Sequence, residues 1–273
     1  LCDPETLQTF LGRHGFGAIK KLGQHFLISR HVVNAIVGGA EGMAGICEIG
    51  PGPGVLTQPL SESAERLIAL ELDARMPALL AESAPQAEVR SVDALKVDLR
   101  AVLGELPSPK ALVSNMPYYI SGPLLQRVAD VGPYLDRAIL MMQKEVAERV
   151  IAPPGSGDRG SLSVFMQTRF TIRALANAPA TAFFPPPQVD SKVLLFTPRE
   201  PHGGPSEFYD RLVRFGFTQP RKTLTNNLVS GLRRPREEIV DVLESIGRWE
   251  KTRAQELPEE DWWLLAERLQ PTS

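Results

Sequence analysis

A chain of 273 residues that is 43% hydrophobic and 23% charged has the composition of a globular protein, sufficient for one large domain or a large and a small one. A formal net charge of −2 excludes a polybasic protein, so a polyanionic partner has to be met by a local patch. Two cysteines are too few for a disulfide framework, the four histidines lack metal-ligand spacing so that no metal is expected, and no apolar stretch has membrane-spanning length.

The opening residues LCDPETLQTF lack the charged start and apolar centre of a signal peptide, so a cytoplasmic location is expected, with Cys2 in a flexible end. From residue 32 onward, short apolar runs alternate with stretches long enough for a helix. AGICEIG (44–50), RLIALEL (66–72), AEVRSV (87–92), KALVSN (110–115) and RAILMMQ (137–143) read as buried strands. SLSVFMQTRF (161–170) suits a helix, and TIRALANAP (171–179) and SKVLLFTP (191–198) contain two further strands. Such alternation predicts a mainly parallel sheet covered on both faces. The stretch 197–207 is rich in Pro and Gly and reads as a linker. Beyond it only helical patterns follow: EFYDRLVRFGFTQ, RKTLTNNLVSGL, PREEIVDVLESIG and PEEDWWLLAERLQ, with Pro and acids at helix starts. The expected organisation is an α/β domain over 1–200 and a small helical domain over 201–273.

CEIGPGPGVLT (47–57) places Gly50, Gly52 and Gly54 directly after the first strand of the sheet. Glycine there lets the backbone turn sharply and approach a ligand, although a lone glycine triplet is as often a tight turn. Two acids add weight. Glu71 ends the second strand, where a carboxylate can accept from both hydroxyls of a ribose, and Asp93 follows the third, placed to accept from an adenine amine. Successive parallel strands open into one crevice, so an adenosine-containing cofactor is expected. S-adenosylmethionine suits the G-x-G-x-G spacing better than a nicotinamide dinucleotide, but spacing alone leaves both open.

NMPYY (115–119) follows a fourth buried run. An exocyclic adenine amine is a poor nucleophile because its lone pair is delocalised into the ring. The Asn115 side-chain oxygen and the Met116 or Pro117 carbonyl supply acceptors for its hydrogens, Pro117 fixes the turn, and the Tyr118 ring can stack on the base and stabilise positive charge. Tyr119 is expected to pack on the sheet.

The blocks LGQHFL (22–27), EIGPGPGVLT (48–57), ELD (71–73), DAL (93–95), NMPYYIS (115–121), QKEVAERV (143–150), FFPPPQVDS (183–191) and QPRKTLTNN (219–227), in this order and spacing, resemble the bacterial small-subunit (16S) ribosomal RNA adenine dimethyltransferases, the family tied to kasugamycin resistance. The resemblance covers almost the whole chain. It implies a Rossmann-like class I methyltransferase sheet, mostly parallel with an antiparallel last strand, plus a small C-terminal all-α domain. It implies that residues 1–31 close over S-adenosylmethionine through Gln24, His25 and Leu27, beside Gly50, Gly52, Glu71, Asp93 and Asn115. It further implies that Phe183 stacks on a flipped-out target adenine opposite Tyr118, and that two adjacent adenines near the RNA 3′ end are each dimethylated within a pre-assembled small subunit. Two departures stand out: Met116 and Tyr119 replace a more common N-L-P-Y-N, and Arg159 stands where a tyrosine is frequent.

Charge distribution agrees with an RNA partner. No acid occurs between Arg211 and Arg236, whereas acids dominate from Glu237 to Glu267. Arg221 and Lys222, interleaved with amides, are the preferred phosphate contacts, with Lys20, Lys21 and Lys144 extending the track; Arg233, Arg234 and Arg236 read as a solvated face. A monomer is expected. The rival readings are a large-subunit rRNA methyltransferase of the macrolide-resistance type, a non-enzymatic assembly factor and a nicotinamide-dependent dehydrogenase.

Overall fold

The computed structural model describes residues 1–16, 25–199 and 206–270; Lys20, Lys21 and Gln24 lie outside the described residues. In chain order the first elements are α1 (Pro4–Arg13), β1 (Phe26–Leu27), α2 (Arg30–Gly39), β2 (Gly45–Ile49), α3 (Thr57–Ser63), β3 (Arg66–Glu71), α4 (Met76–Ser83), β4 (Glu88–Ser91), α5 (Leu99–Gly104), β5 (Lys110–Asn115) and α6 (Ser121–Val131). They are followed by β6 (Arg137–Gln143), α7 (Lys144–Val150), α8 (Ser161–Arg169), β7 (Phe170–Ala178), β8 (Phe183–Phe184), β9 (Ser191–Pro198), α9 (Glu207–Gly216), α10 (Leu224–Leu232), α11 (Arg236–Ser245) and α12 (Glu259–Leu269). Among the described residues no helix is long and apolar enough to cross a membrane.

Seven strands form one sheet in the order β4-β3-β2-β5-β6-β9-β7. From β4 to β6 neighbouring strands are parallel, and β9 runs antiparallel to β6. The central strands are continuous apolar runs because both faces are covered: every residue of β2 is buried. At the β4 edge the pattern turns polar, and Arg66 and Arg90 bridge Glu88 and Glu105 there. Charge of this kind discourages strand addition at an open edge. Cys47 lies fully buried in β2, where burial pushes its thiol up to about 12, while Cys2 is half-exposed.

The chain start is ordered by packing, contrary to the flexible end expected around Cys2. The Asp3 carboxylate caps α1 by accepting from Thr6 N at 2.8 Å. Leu7, Phe10 and Leu11 then bury one face against Met76, Leu79 and Leu80 of α4. A second feature without a sequence signal is a two-stranded antiparallel ribbon, in which Phe26 pairs with Phe184 and Leu27 with Phe183.

Contacts divide the chain into two units, Leu1–Ala147 with Ile172–Pro198, and Glu148–Thr171 with Arg199–Ser273. The segment 148–171 thus belongs with the helices and not with the sheet, which corrects the boundary at residue 200. Val164 joins the core of Tyr209, Leu212, Leu224, Leu243 and Trp262, and Thr168 Oγ1 lies 2.7 Å from the Tyr209 hydroxyl. Arg159 is 4% exposed; it pairs with Glu259 and donates to Ala152 O and Gln167 Oε1, both at 2.8 Å. Its role is therefore internal to this unit. The helix expected from residue 221 begins only at Leu224, because Thr223 caps it through a bond from Asn226 N, and Arg221 and Lys222 stand exposed before it.

Candidate active site

In the sheet unit, the carboxyl ends of β4, β3, β2 and β5 lie side by side. β3 and β5 flank β2, so the chain departs from β2 in one direction and returns on its other side, the switch point where open α/β sheets bind ligands. Gly50, Gly52 and Gly54 follow β2 with φ of 70°, 56° and 94°. These values lie in the left-handed region that side chains disfavour. A Cβ at Gly54 would also come within 2.3 Å of Ser83 Oγ, so this bend is held tightly between β2 and α4.

Glu71 is 8% exposed and binds the bend. Its Oε2 accepts from Gly52 N at 3.2 Å and its Oε1 from Asp73 N at 2.8 Å. Burial raises its pKa, and the N–H groups of Asp73 and Gly52 oppose that shift. Asp93, half-buried beyond β4, accepts from Leu95 N at 2.9 Å, leaving its second carboxylate oxygen 3.6 Å from the exposed Lys96 ammonium.

β5 brings the Asn-Met-Pro-Tyr stretch to the same bend. Ser114 is in register with Ile49 and donates from Oγ to its carbonyl at 2.9 Å. Pro117 Cδ lies 3.9 Å from where a Gly50 Cβ would stand. Asn115, between these two anchors, is half-buried, and its side chain makes no hydrogen bond among the described residues. The Pro117 carbonyl already accepts from Ile120 N at 3.1 Å and from Ser121 Oγ at 3.4 Å. This leaves the Met116 carbonyl as the better second acceptor. Tyr118 is fixed by its hydroxyl, 2.9 Å from Ser191 Oγ, and burial raises its pKa.

The ribbon adds two more blocks. His25 Nδ1 donates to Pro185 O at 2.7 Å, across 160 positions of sequence. Its ring lies nearly parallel to Tyr118, with centroids 6.2 Å apart, and the Phe26 ring lies 3.5 Å from a Cβ built on Gly52. His25, Leu27, Gly50, Gly52, Glu71, Asp93, Asn115, Pro117 and Tyr118 are therefore all in this unit, around the strand ends or on the ribbon. Lys144 is exposed at the start of α7, its N donating to Asp190 O at 2.9 Å. Arg221 and Lys222 belong to the helical unit.

Two expectations need correction. Phe183 is 2% exposed and packs in the sheet core with Leu27 and Val193, so in this conformation its ring has no free face for a base. Tyr119 is 81% exposed and does not pack on the sheet; the short turn Tyr118–Ile120 directs it outward. Glu48 was not anticipated. It is 1% exposed, and burial, with a smaller push from Glu71, raises its pKa to about 8. Thr57 eases that shift, although no hydrogen bond of ordinary geometry joins the two. An acid inside the apolar run ICEIG was its only signal.

The family model for ribosomal RNA adenine dimethylase matches residues 15–270. The chain belongs to the ribosomal RNA adenine dimethylase family. It is 35% identical over 286 residues to ribosomal RNA small subunit methyltransferase A of Geobacillus thermodenitrificans, covering 99% of this chain and 97% of that relative. Against the protein of the same name from Bacillus licheniformis the identity is 35% over 283 residues, with 98% and 97% covered. A solved dimethyladenosine transferase from Plasmodium falciparum superimposes with a TM-score of 0.74 at 28% identity, covering 88% of this chain and 96% of that one. The 23S rRNA methyltransferase ErmE, at 24% identity and TM-score 0.67 over 90% and 100%, shares the fold. As a ribosomal RNA adenine dimethylase the chain is an enzyme that needs a methyl donor and an adenine. Among the described residues no group of three or more His, Cys, Asp or Glu is placed to hold a metal ion.

Proposed function

We propose that this enzyme transfers methyl groups from S-adenosylmethionine to N6 of two adjacent adenines near the 3′ end of small-subunit ribosomal RNA, two methyls to each, during small-subunit maturation. It acts as a monomer in the cytoplasm on a pre-assembled small subunit. The observation that carries this reading is the convergence of Glu71, Asp93, the glycine bend and Asn115 at four adjacent strand ends.

The residues present suit this cofactor. Glu71 is buried with Oε2 on Gly52 N of the bend and Oε1 on Asp73 N, and each oxygen keeps a lone pair for a ribose hydroxyl; Asp93 has a carboxylate oxygen free of backbone bonds for an adenine amine. Gly50 and Gly52 admit close approach of the cofactor backbone, and His25, Leu27 and Gln24 are assigned to its cover. When bound, the cofactor supplies an electrophilic methyl group. Asn115 Oδ1 and the Met116 carbonyl accept the two N–H groups of the target amine and so turn its lone pair toward the glycine bend. Tyr118 offers a ring held by Ser191 for the base to stack on. For Phe183 to close the opposite face, its ring has to leave the core. The methylated amine is strongly acidic and gives its proton to water, so positioning and not a tuned base dominates the rate. Lys144, Arg221 and Lys222, with Lys20 and Lys21, are assigned to phosphates.

Incubation with undermethylated small subunits and labelled S-adenosylmethionine is expected to yield N6,N6-dimethyladenosine at two neighbouring positions in the RNA digest. Its absence, or preferential labelling of free large-subunit RNA, overturns the proposal.

A further inference from the structure

The helical unit holds all three tryptophans in contrasting settings. Trp262 is fully buried and Trp263 packs on Tyr209 at 4.6 Å, but Trp249 is 82% exposed. A loose loop does not explain this exposure. Trp249 N donates to Thr252 Oγ1 at 3.1 Å and Thr252 N to Trp249 O at 2.9 Å. The loop is in turn bound to the start of α10, where Leu224 N donates to Thr252 O at 2.8 Å and Thr225 Oγ1 to Glu250 O at 2.9 Å.

Those bonds hold the loop 249–252 against the start of α10, next in sequence to the segment 219–223. Arg221 and Lys222 are exposed there, as is Lys251 in the loop itself, and among the described residues none has an acidic partner. Glu250 in the loop pairs with Arg236, and Asp261 with Arg248. No other large apolar side chain is exposed in 219–225 or 246–253. An apolar protein interface would show a patch of such residues. A single flat ring among unpaired cations instead matches a π-face flanked by phosphates.

We propose that Trp249 is a stacking platform for an unpaired base of the ribosomal RNA, with Arg221, Lys222 and Lys251 holding the adjoining phosphates. The proposal rests on the substrate reading above and adds an aromatic contact outside every motif of the active site. Stacking on an aromatic side chain tolerates any base, so this contact contributes affinity and placement and leaves target choice to the crevice.

The test uses the full chain and undermethylated small subunits, followed by tryptophan emission. In the parent, binding is expected to quench the solvent-exposed component. Trp249→Phe keeps a ring and is expected to bind within a few-fold while losing the quench. Trp249→Ala is expected to raise Kd about ten-fold or more with unchanged melting temperature and S-adenosylmethionine affinity. Lys251→Ala is expected to lower the salt slope of binding by about one. Parent-like affinity in Trp249→Ala overturns the platform while the substrate reading stands. Loss of affinity without any quench in the parent points to a ribosomal protein and also overturns it. If the parent neither binds nor methylates small subunits, both readings fall.

Discussion

Glu48 is a carboxyl sealed inside β2, two residues before the glycine bend. In the folded protein its pKa is about 8, against an ordinary 4.5. Between these values the native state holds a proton that the unfolded chain releases, so stability falls as pH rises through this window and levels off above it. Glu48→Gln abolishes the slope; the melting temperature of the cofactor-free variant is expected to gain on the parent from about pH 5 to 8, and parallel curves would refute the assignment. Tyr118 offers a simpler separation of ring from hydroxyl. Tyr118→Phe loses only the bond to Ser191 and is expected to keep methyl transfer within about ten-fold. Tyr118→Ala loses the stacking face and is expected to fall about 100-fold or more, both read in single-turnover assays. The positions of Glu71 and Asn115 were legible because each ends an apolar run, whereas Asp93 follows a polar edge strand and was placed only by the strand alternation. Phe183 and Tyr119 were not legible, since a sequence of adjacent aromatics does not say which ring turns inward.

At the scale of elements, the sheet was legible for the same reason: β2, β3, β5, β6 and β9 are apolar runs bounded by polar or turn residues. The ribbon of β1 and β8 was invisible, because two residues per strand carry no alternation and the partner is remote in sequence. Likewise α8 was recognisable as a helix, but its sequence has no marked apolar face, so nothing in it reveals that Val164 packs with Tyr209 and Trp262. The glycine bend is the element most sensitive to a single methyl group. Gly54→Ala would force a left-handed φ of 94° on a side chain aimed at Ser83. Destabilisation of roughly 1–3 kcal/mol is expected, seen as a lower melting temperature. Adding Ser83→Gly is expected to restore only part of it, because the backbone strain remains; full recovery would show that crowding alone limits the position.

For the whole molecule, a net charge of −2 conceals a division of labour. Glu71 and Asp93 lie at the strand ends of one unit, and in the other Arg221, Lys222 and Lys251 have no acidic partner among the described residues. The helical unit depends on Arg159, whose side chain is fully buried against Glu259 at 13% exposure. Arg159→Ala leaves that acid without its cation and is expected to cost roughly 3–5 kcal/mol. The loss is expected in the unfolding transition seen by tryptophan emission, which reports this unit alone, while S-adenosylmethionine affinity measured below that transition stays unchanged. A matching loss of cofactor affinity would show the units to be one cooperative body. The unequal burial of the two thiols has a practical consequence for such work. With Cys47 sealed in the sheet, maleimide dyes meet a single accessible target at Cys2. This sequence therefore accepts one acceptor dye in the sheet unit while its tryptophan donors are confined to the helical one, and energy transfer between them can follow the two units without an engineered cysteine.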